Sequence, residues 1–304
     1  TPVDPISDPA AFGSPAALIP APRPAELHLA RLAEFLGDES PVVWREVQRQ
    51  FEQAGPAARR ILLQATKNPD ARTRMRARHL LAQLERSAAW RRLVRYCTRG
   101  KIELEPALFL LSGWMDPDFD ALSARNELDR LGARVSAQIE VRTDDLRRTG
   151  SLCDVLGREE RCGGSIGEFD HPDNVLLHRA LQKKAGMPLT LCALYRFVAQ
   201  RAGFTISMLP IPGHIMLRVP MSGRTLIADP YDRGRLRSER DTRAQLARAG
   251  LKLQNAWFQE ASDRYLFRRQ LLNLCRSLDS AGRSAQSRQV SLLIDLLDRN
   301  HSRR

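Results

Sequence analysis

The second half of the chain holds the three side-chain types that thiol catalysis needs: Cys192 in LTLCALY, His214 in LPIPGHIMLRV and Asp229 in LIADPY. In such chemistry a thiolate attacks, an imidazole carries the proton and a carboxylate orients the imidazole. The thiol belongs at a helix N-terminus, where the dipole and free N–H groups lower its pKa. Each residue also has a plainer reading. Cys192 lies in an almost wholly apolar stretch and reads as a buried structural cysteine. His214 and Asp229 read as a polar pair for a ligand or as a brace between strands. The aspartate of D-P-Y also reads as the cap of the following turn. Thr190 lies in the first turn of its helix but has no close base in the sequence. Cys162, in the Gly-rich stretch CGGS, reads as a loop-packing thiol or as one folded over a cleft. Asn174 reads as a helix N-cap. Arg218, four residues past His214, alternates to the same side of an extended strand.

The elements that must position these groups follow from pattern. NVLLHRALQKKAG predicts a helix from Asn174 to a stop at Gly186, and Pro188 opens a second helix that ends at Gly203. Three β-like runs follow: FTISML, HIMLRV and RTLIADP. PMSGR, with Gly223, predicts a hairpin turn between the last two. That hairpin brings His214, at the start of one strand, within reach of Asp229, at the end of the other. Helices resume after Asp241. The order of helices, small antiparallel sheet and helices predicts an α+β fold.

The N-terminal half is helical by pattern. Ser40 and Pro41 cap and open a helix whose Val43, Val47 and Phe51 share a face. Thirty positions on, Thr73, Ala77 and Leu81 recur in the same places, with PAARRILLQATKN between them as a shorter helix. Paired helices with a short Asp/Asn/Pro turn resemble a HEAT-like repeat or, equally, an ordinary helical bundle. Residues 72–101 hold nine arginines and one lysine against a single acid, Glu85. This strip reads as a phosphate-binding face or as ordinary solvated helix faces. The net charge of +13 permits an anionic partner, but the basic residues are almost all arginine, and a compositional bias produces the same charge.

Several classes are excluded or disfavoured. No run of 18 apolar residues appears, so no membrane span is expected. Residues 1–26 read as a Pro/Ala-rich lead-in without a secretory-signal pattern. The five cysteines are scattered and form no CxxC, which argues against a disulfide framework and places the chain in the cytoplasm. The histidines are scattered too, so neither a metal nor a cofactor is expected. The glycines after Cys162 do not form a phosphate-binding fingerprint.

The ordered set DHPDNVLLHRALQKKAGMPLTLCALYRFVAQRAGF, LPIPGHIMLRV and LIADPYDRG resembles the SirB-type branch of the transglutaminase-like superfamily. That branch typically reads as an Asn-led helix, a G-I-P-[IL]-[ST]-L helix start, a P-G-H-F strand and a D-P-[FY] strand followed by a glycine. The resemblance runs from about Ile102 to Arg304. It implies a papain-like core with a Cys-His-Asp triad. The expected organisation is a helical-repeat-like region over 27–100, a transglutaminase-like domain over 101–240 and closing helices over 241–304. The sequence departs from the active pattern at the nucleophile. Active members place cysteine two residues after the glycine that opens the central helix, and here that position is Pro188. The expected function is therefore a pseudoenzyme that binds a peptide or protein segment, with Asn174, Pro188, Thr190 and Arg218 as candidate binding residues. One alternative is a hydrolase or acyltransferase using Cys192, His214 and Asp229. The other is an accessory nucleic-acid-binding protein working through the arginine strip.

Overall fold

A computed structural model of the chain describes residues 24–139, 144–165, 167, 169–221 and 224–301. The lead-in through residue 23 and the tip of the hairpin at Gly223 lie outside the described residues. The chain divides into two compact units, one through Leu84 and one from Glu85.

The first unit is helical: α1 (Pro24–Glu34), α2 (Pro41–Ala54), α3 (Arg59–Ala65) and the first part of α4 (Ala71–Cys97). Ser40 caps α2 by accepting from the Val43 amide, with Pro41 at the first helical position. The face predicted for α2 is the buried one: Val47 and Phe51 join Leu36, Leu62, Ala77 and Leu80 in one core. Three arginines of the basic strip are held locally in this unit. Arg72 donates to the Gly37 carbonyl and pairs with Glu39 at 3.0 Å. Arg74 donates to the Asn68 carbonyl. Arg76 donates to the carbonyls of Leu36 and Asp38 and lies 4.5 Å over the Trp44 ring.

The second unit is α+β. Helices α5 (Leu104–Met115), α6 (Ala121–Ala137) and α7 (Asp145–Cys153) lead into a π-helical turn, Asp154–Glu159. Strand β1 (Gly163–Gly164) follows, then a 3-10 turn, Pro172–Val175, helix α8 (Leu177–Lys183) and strand β2 (Ala185–Gly186), which pairs with β1 in parallel. Helix α9 (Pro188–Arg201) is buried over its first eight residues and again at Phe197, Val198 and Ala199. An all-round apolar helix of this kind can only be the centre of a core.

Strands β3 (Ser207–Leu209), β4 (Met216–Met221), β5 (Arg224–Asp229) and β6 (Arg235–Ser238) form an antiparallel meander in that order. Leu217 and Val219 turn one face of β4 toward the main core, while Met216 on its other face joins Ile227 of β5 against Leu209, Ile211 and Phe258. Strand β6 has no sequence forecast. Its residues, RLRS, are polar except Leu236 and lie at the sheet edge, where charged side chains discourage further pairing. Helices α10 (Glu239–Arg248), α11 (Asp263–Ser280) and α12 (Ser284–His301) complete the unit. Leu266, Phe267, Leu271, Leu274 and Leu278 recur at helical spacing along α11 and meet Val290, Leu293 and Leu297 of α12.

Two local expectations are corrected. Asn174 is not the cap of a helix running to Gly186. Pro172 opens a 3-10 turn capped by the His171 ring, and α8 starts three residues after Asn174. His214 does not start a strand. Ile211–His214 is closed by a 3.2 Å bond from the His214 amide to the Ile211 carbonyl, with Pro212 second and Gly213 third at φ +72°. That is the residue pattern of a type II turn, because only glycine takes positive φ there without strain. The strand begins at Met216.

Candidate functional site

The P-G-H turn and the end of β5 place His214 and Asp229 together. His214 Nε2 lies 2.8 Å from Asp229 Oδ1. Asp229 is 4% exposed, and the same oxygen accepts from the amides of Tyr231 at 3.1 Å and Asp232 at 3.4 Å. Asp229 therefore fixes the imidazole and caps the 3-10 turn Pro230–Asp232 with one oxygen, combining two readings that its sequence left as alternatives. The Tyr231 ring stands edge-on to the His214 ring, with centroids 5.5 Å apart. Behind it, Gly164 lies so close that a Cβ there would come within 2.5 Å of the tyrosine ring. The glycines of CGGS are thus explained by packing against the D-P-Y turn.

The two candidate thiols are both buried. Cys192 lies on α9, fully buried, and its sulfur donates to the Ile215 carbonyl at 3.2 Å. Burial pushes its thiol well above the ordinary range, and the Asp229 carboxylate adds to the rise. Cys162 is fully buried and is pushed up to about 11 by the same cause. Thiols so shifted carry almost no thiolate near neutral pH.

Thr190 and Asn174 belong to a buried hydrogen-bond network under the start of α9. Thr190 Oγ1 donates to the Asn174 carbonyl at 3.0 Å and accepts from Gln270 Nε2 at 2.9 Å. Gln270 also donates to the Val175 carbonyl. Asn174 Nδ2 reaches the Phe169 carbonyl, and the Asn174 carbonyl accepts from the Met187 amide at 2.9 Å. This network fixes where α9 begins and so where Pro188 sits. Gln270 had no sequence signal of its own; its partners lie 80 and 95 residues away along the chain. Arg218 lies on the β4 face shared with Met216, paired across to Ile227, and does not border the cleft described next.

Pro188, at the first position of α9, borders a cleft of about 350 Å³. Its walls are Phe169, Pro188 and Leu189 on one side, Gly213 and Ile215 of the histidine's segment, and the α11 face carrying Arg268, Arg269, Leu272 and Arg276. Helical spacing in RYLFRRQLLNLCR puts these residues on one α11 face, but nothing in the sequence alone sets that face apart. Among the described residues no cluster of three or more His, Cys, Asp or Glu side chains is placed to hold a metal ion, and no helix is long and apolar enough to cross a membrane.

Comparison with known proteins places this geometry. A UPF0162 protein of Pseudomonas aeruginosa is 29% identical over 182 residues, which is 58% of this chain and 66% of that protein. UPF0162 proteins of Xylella fastidiosa strains Temecula1 and 9a5c are each 31% identical over 72 residues, 24% of this chain and 26% of theirs. The match thus spans less than two thirds of the length of each of these relatives. No solved structure matches the chain significantly. Residues 123–272, which contain α9, the P-G-H turn, the His214–Asp229 pair and the first part of α11, match the transglutaminase-like superfamily and form a transglutaminase-like domain.

Proposed function

We propose that this is a SirB-type protein that holds a peptide or protein segment in the cleft at Pro188 without forming a covalent bond to it. One observation carries the reading: proline occupies the first position of α9 at the cleft wall, while the thiol one turn deeper is buried and bonded to the Ile215 carbonyl. A papain-like site needs its nucleophile where the substrate lies. Phe169 and Leu272 supply exposed apolar wall for side chains, and Arg269 and Asn273 supply hydrogen-bonding groups, which is the usual composition of a ligand cleft. The helices of the first unit form a separate, HEAT-like interaction region in this reading, and the five free cysteines suit a reducing cytoplasm.

The His214–Asp229 bond favours a second reading, a hydrolase or acyltransferase that uses Cys192. Nucleic-acid binding through the 72–101 strip has less support, since Arg72, Arg74 and Arg76 are engaged with local carbonyls.

Leu272 is 41% exposed on the cleft wall, so Leu272→Trp fills the groove without disturbing the core. A pool of fluorescein-labelled hexapeptides is titrated by anisotropy and then analysed by mass spectrometry. Wild-type protein should bind, Leu272→Trp should bind at least about tenfold more weakly, and peptide masses should not change. Binding that ignores Leu272→Trp, or a Cys192-dependent mass change, would overturn the proposal.

A further inference from the structure

The cleft that borders Pro188 is unequally charged. Its α11 wall carries three arginines, and none of the described residues that line it is an aspartate or a glutamate. Arg268 is matched by Asp298, through bonds of 2.7 and 2.9 Å. Arg269 has no carboxylate partner among the described residues. It donates Nη2 to the Ile211 carbonyl at 3.1 Å, which pins the guanidinium beside the P-G-H turn and leaves most of its five donors free. Arg276, exposed two turns further along α11, has no hydrogen-bond or ion-pair partner among the described residues. Opposite them is the N-terminal end of α9, where the cap residue Met187 offers no side-chain acceptor and Pro188 has no amide hydrogen. The positive end of that helix faces the same space as the two unmatched guanidinium groups.

Deepening the reading of a peptide-binding cleft, and resting on it, we propose that the segment held there is acidic: a carboxylate lies between Arg269 and Arg276, and an apolar neighbour packs on the exposed Phe169 and Leu272. Two features select a peptide carboxylate over a free anion. Guanidinium groups bind carboxylates bidentately when both donors can be presented in one plane. The cleft is also too large, and too apolar along Phe169 and Leu272, for a small inorganic ion to fill. An acidic side chain beside an apolar one matches both halves of the wall. Because the arginines are partly exposed, the attraction should weaken as salt is added.

The test uses the full chain and two pools of labelled hexapeptides. The first pool is built from Glu, Asp, Leu, Phe and Ala. The second replaces every Glu by Gln and every Asp by Asn, with an amidated C-terminus. The acidic pool should bind at least about tenfold tighter at low salt. Arg276→Gln should abolish that preference while leaving the melting temperature unchanged. Arg248→Gln, an exposed change on α10 outside the cleft, should leave the preference intact. If the amide pool binds equally well, the acidic assignment fails while the peptide-binding reading stands. If neither pool binds, both fail. If inorganic phosphate or a short single-stranded oligonucleotide displaces the acidic pool at a lower concentration than unlabelled acidic peptide does, the occupant is a phosphate-bearing ligand and the acidic-peptide assignment is wrong.

Discussion

Asp229→Ala is expected to lower the melting temperature of the second unit by about 6–12 °C. The reasoning starts from what one oxygen does. Asp229 Oδ1 receives the His214 ring and the amides of Tyr231 and Asp232, and the side chain is almost wholly out of water. Alanine leaves three donors facing a space with no acceptor. A buried donor stripped of its partner costs about 1–3 kcal/mol, and loss of a cap alone about 1 kcal/mol. The three do not add fully, because the exposed edge of the His214 ring can turn to solvent. A net loss of about 3 kcal/mol follows, and for a unit of this size each kcal/mol shifts the melting temperature by about 2–4 °C. Asp229→Asn keeps one acceptor oxygen in place and should lose about a third as much. Thermal unfolding of the two variants side by side checks this. Equal stability of the alanine and asparagine variants would mean that the carboxylate does not brace the turn.

The second large effect comes from a glycine. Gly157 lies in the π-helical turn, and a Cβ there would press into the carbonyl oxygen of Arg233, well inside van der Waals contact. That oxygen cannot step aside cheaply. Arg233 and Gly234 both have positive φ, and the Gly234 amide closes the turn onto the Asp229 carbonyl at 2.8 Å. Gly157→Ala should therefore destabilise by about 3 kcal/mol, at the upper end of the usual cost of overpacking. It should also loosen the turn that carries Tyr231. Gly150→Ala, in α7 about two turns earlier, is the matched control: a Cβ there meets nothing within 4 Å. In a helix interior it should be neutral or stabilising by about 0.5–1 kcal/mol. Chemical denaturation of both variants gives the comparison, and similar midpoints for the two would remove the close-approach argument.

What the chain disclosed before its fold was known follows a physical division. Local chemistry was readable. Ser40–Pro41 capped a helix, Pro188 opened α9, and the aspartate of D-P-Y capped its own turn, because each effect acts within three or four residues. The α+β order was also readable, since apolar periodicity changes where helix gives way to strand. Long-range contacts were not. The clearance of Gly164 against Tyr231 and the bond from Gln270 to Thr190 join residues 67 and 80 positions apart, and neither leaves a periodic trace. Strand β6 escaped for a different reason: an edge strand of RLRS buries little, so it shows no hydrophobic pattern. His214 was placed correctly beside Asp229 but on the wrong element, because Pro212 and Gly213 make a turn that postpones the strand by two residues. The cationic α11 wall had a visible spacing, yet only the fold sets it against Pro188.

The central claim is that no thiol serves His214. Alkylation of the native protein with iodoacetamide at pH 8, with each cysteine followed by mass spectrometry, tests it most directly. In guanidinium chloride all five cysteines should label. In the native state Cys192 should stay unmodified until the protein unfolds, because its sulfur is buried, bonded to the Ile215 carbonyl and held protonated by its surroundings. Rapid native alkylation of Cys192, slowed by His214→Ala, would contradict the account and restore a working triad.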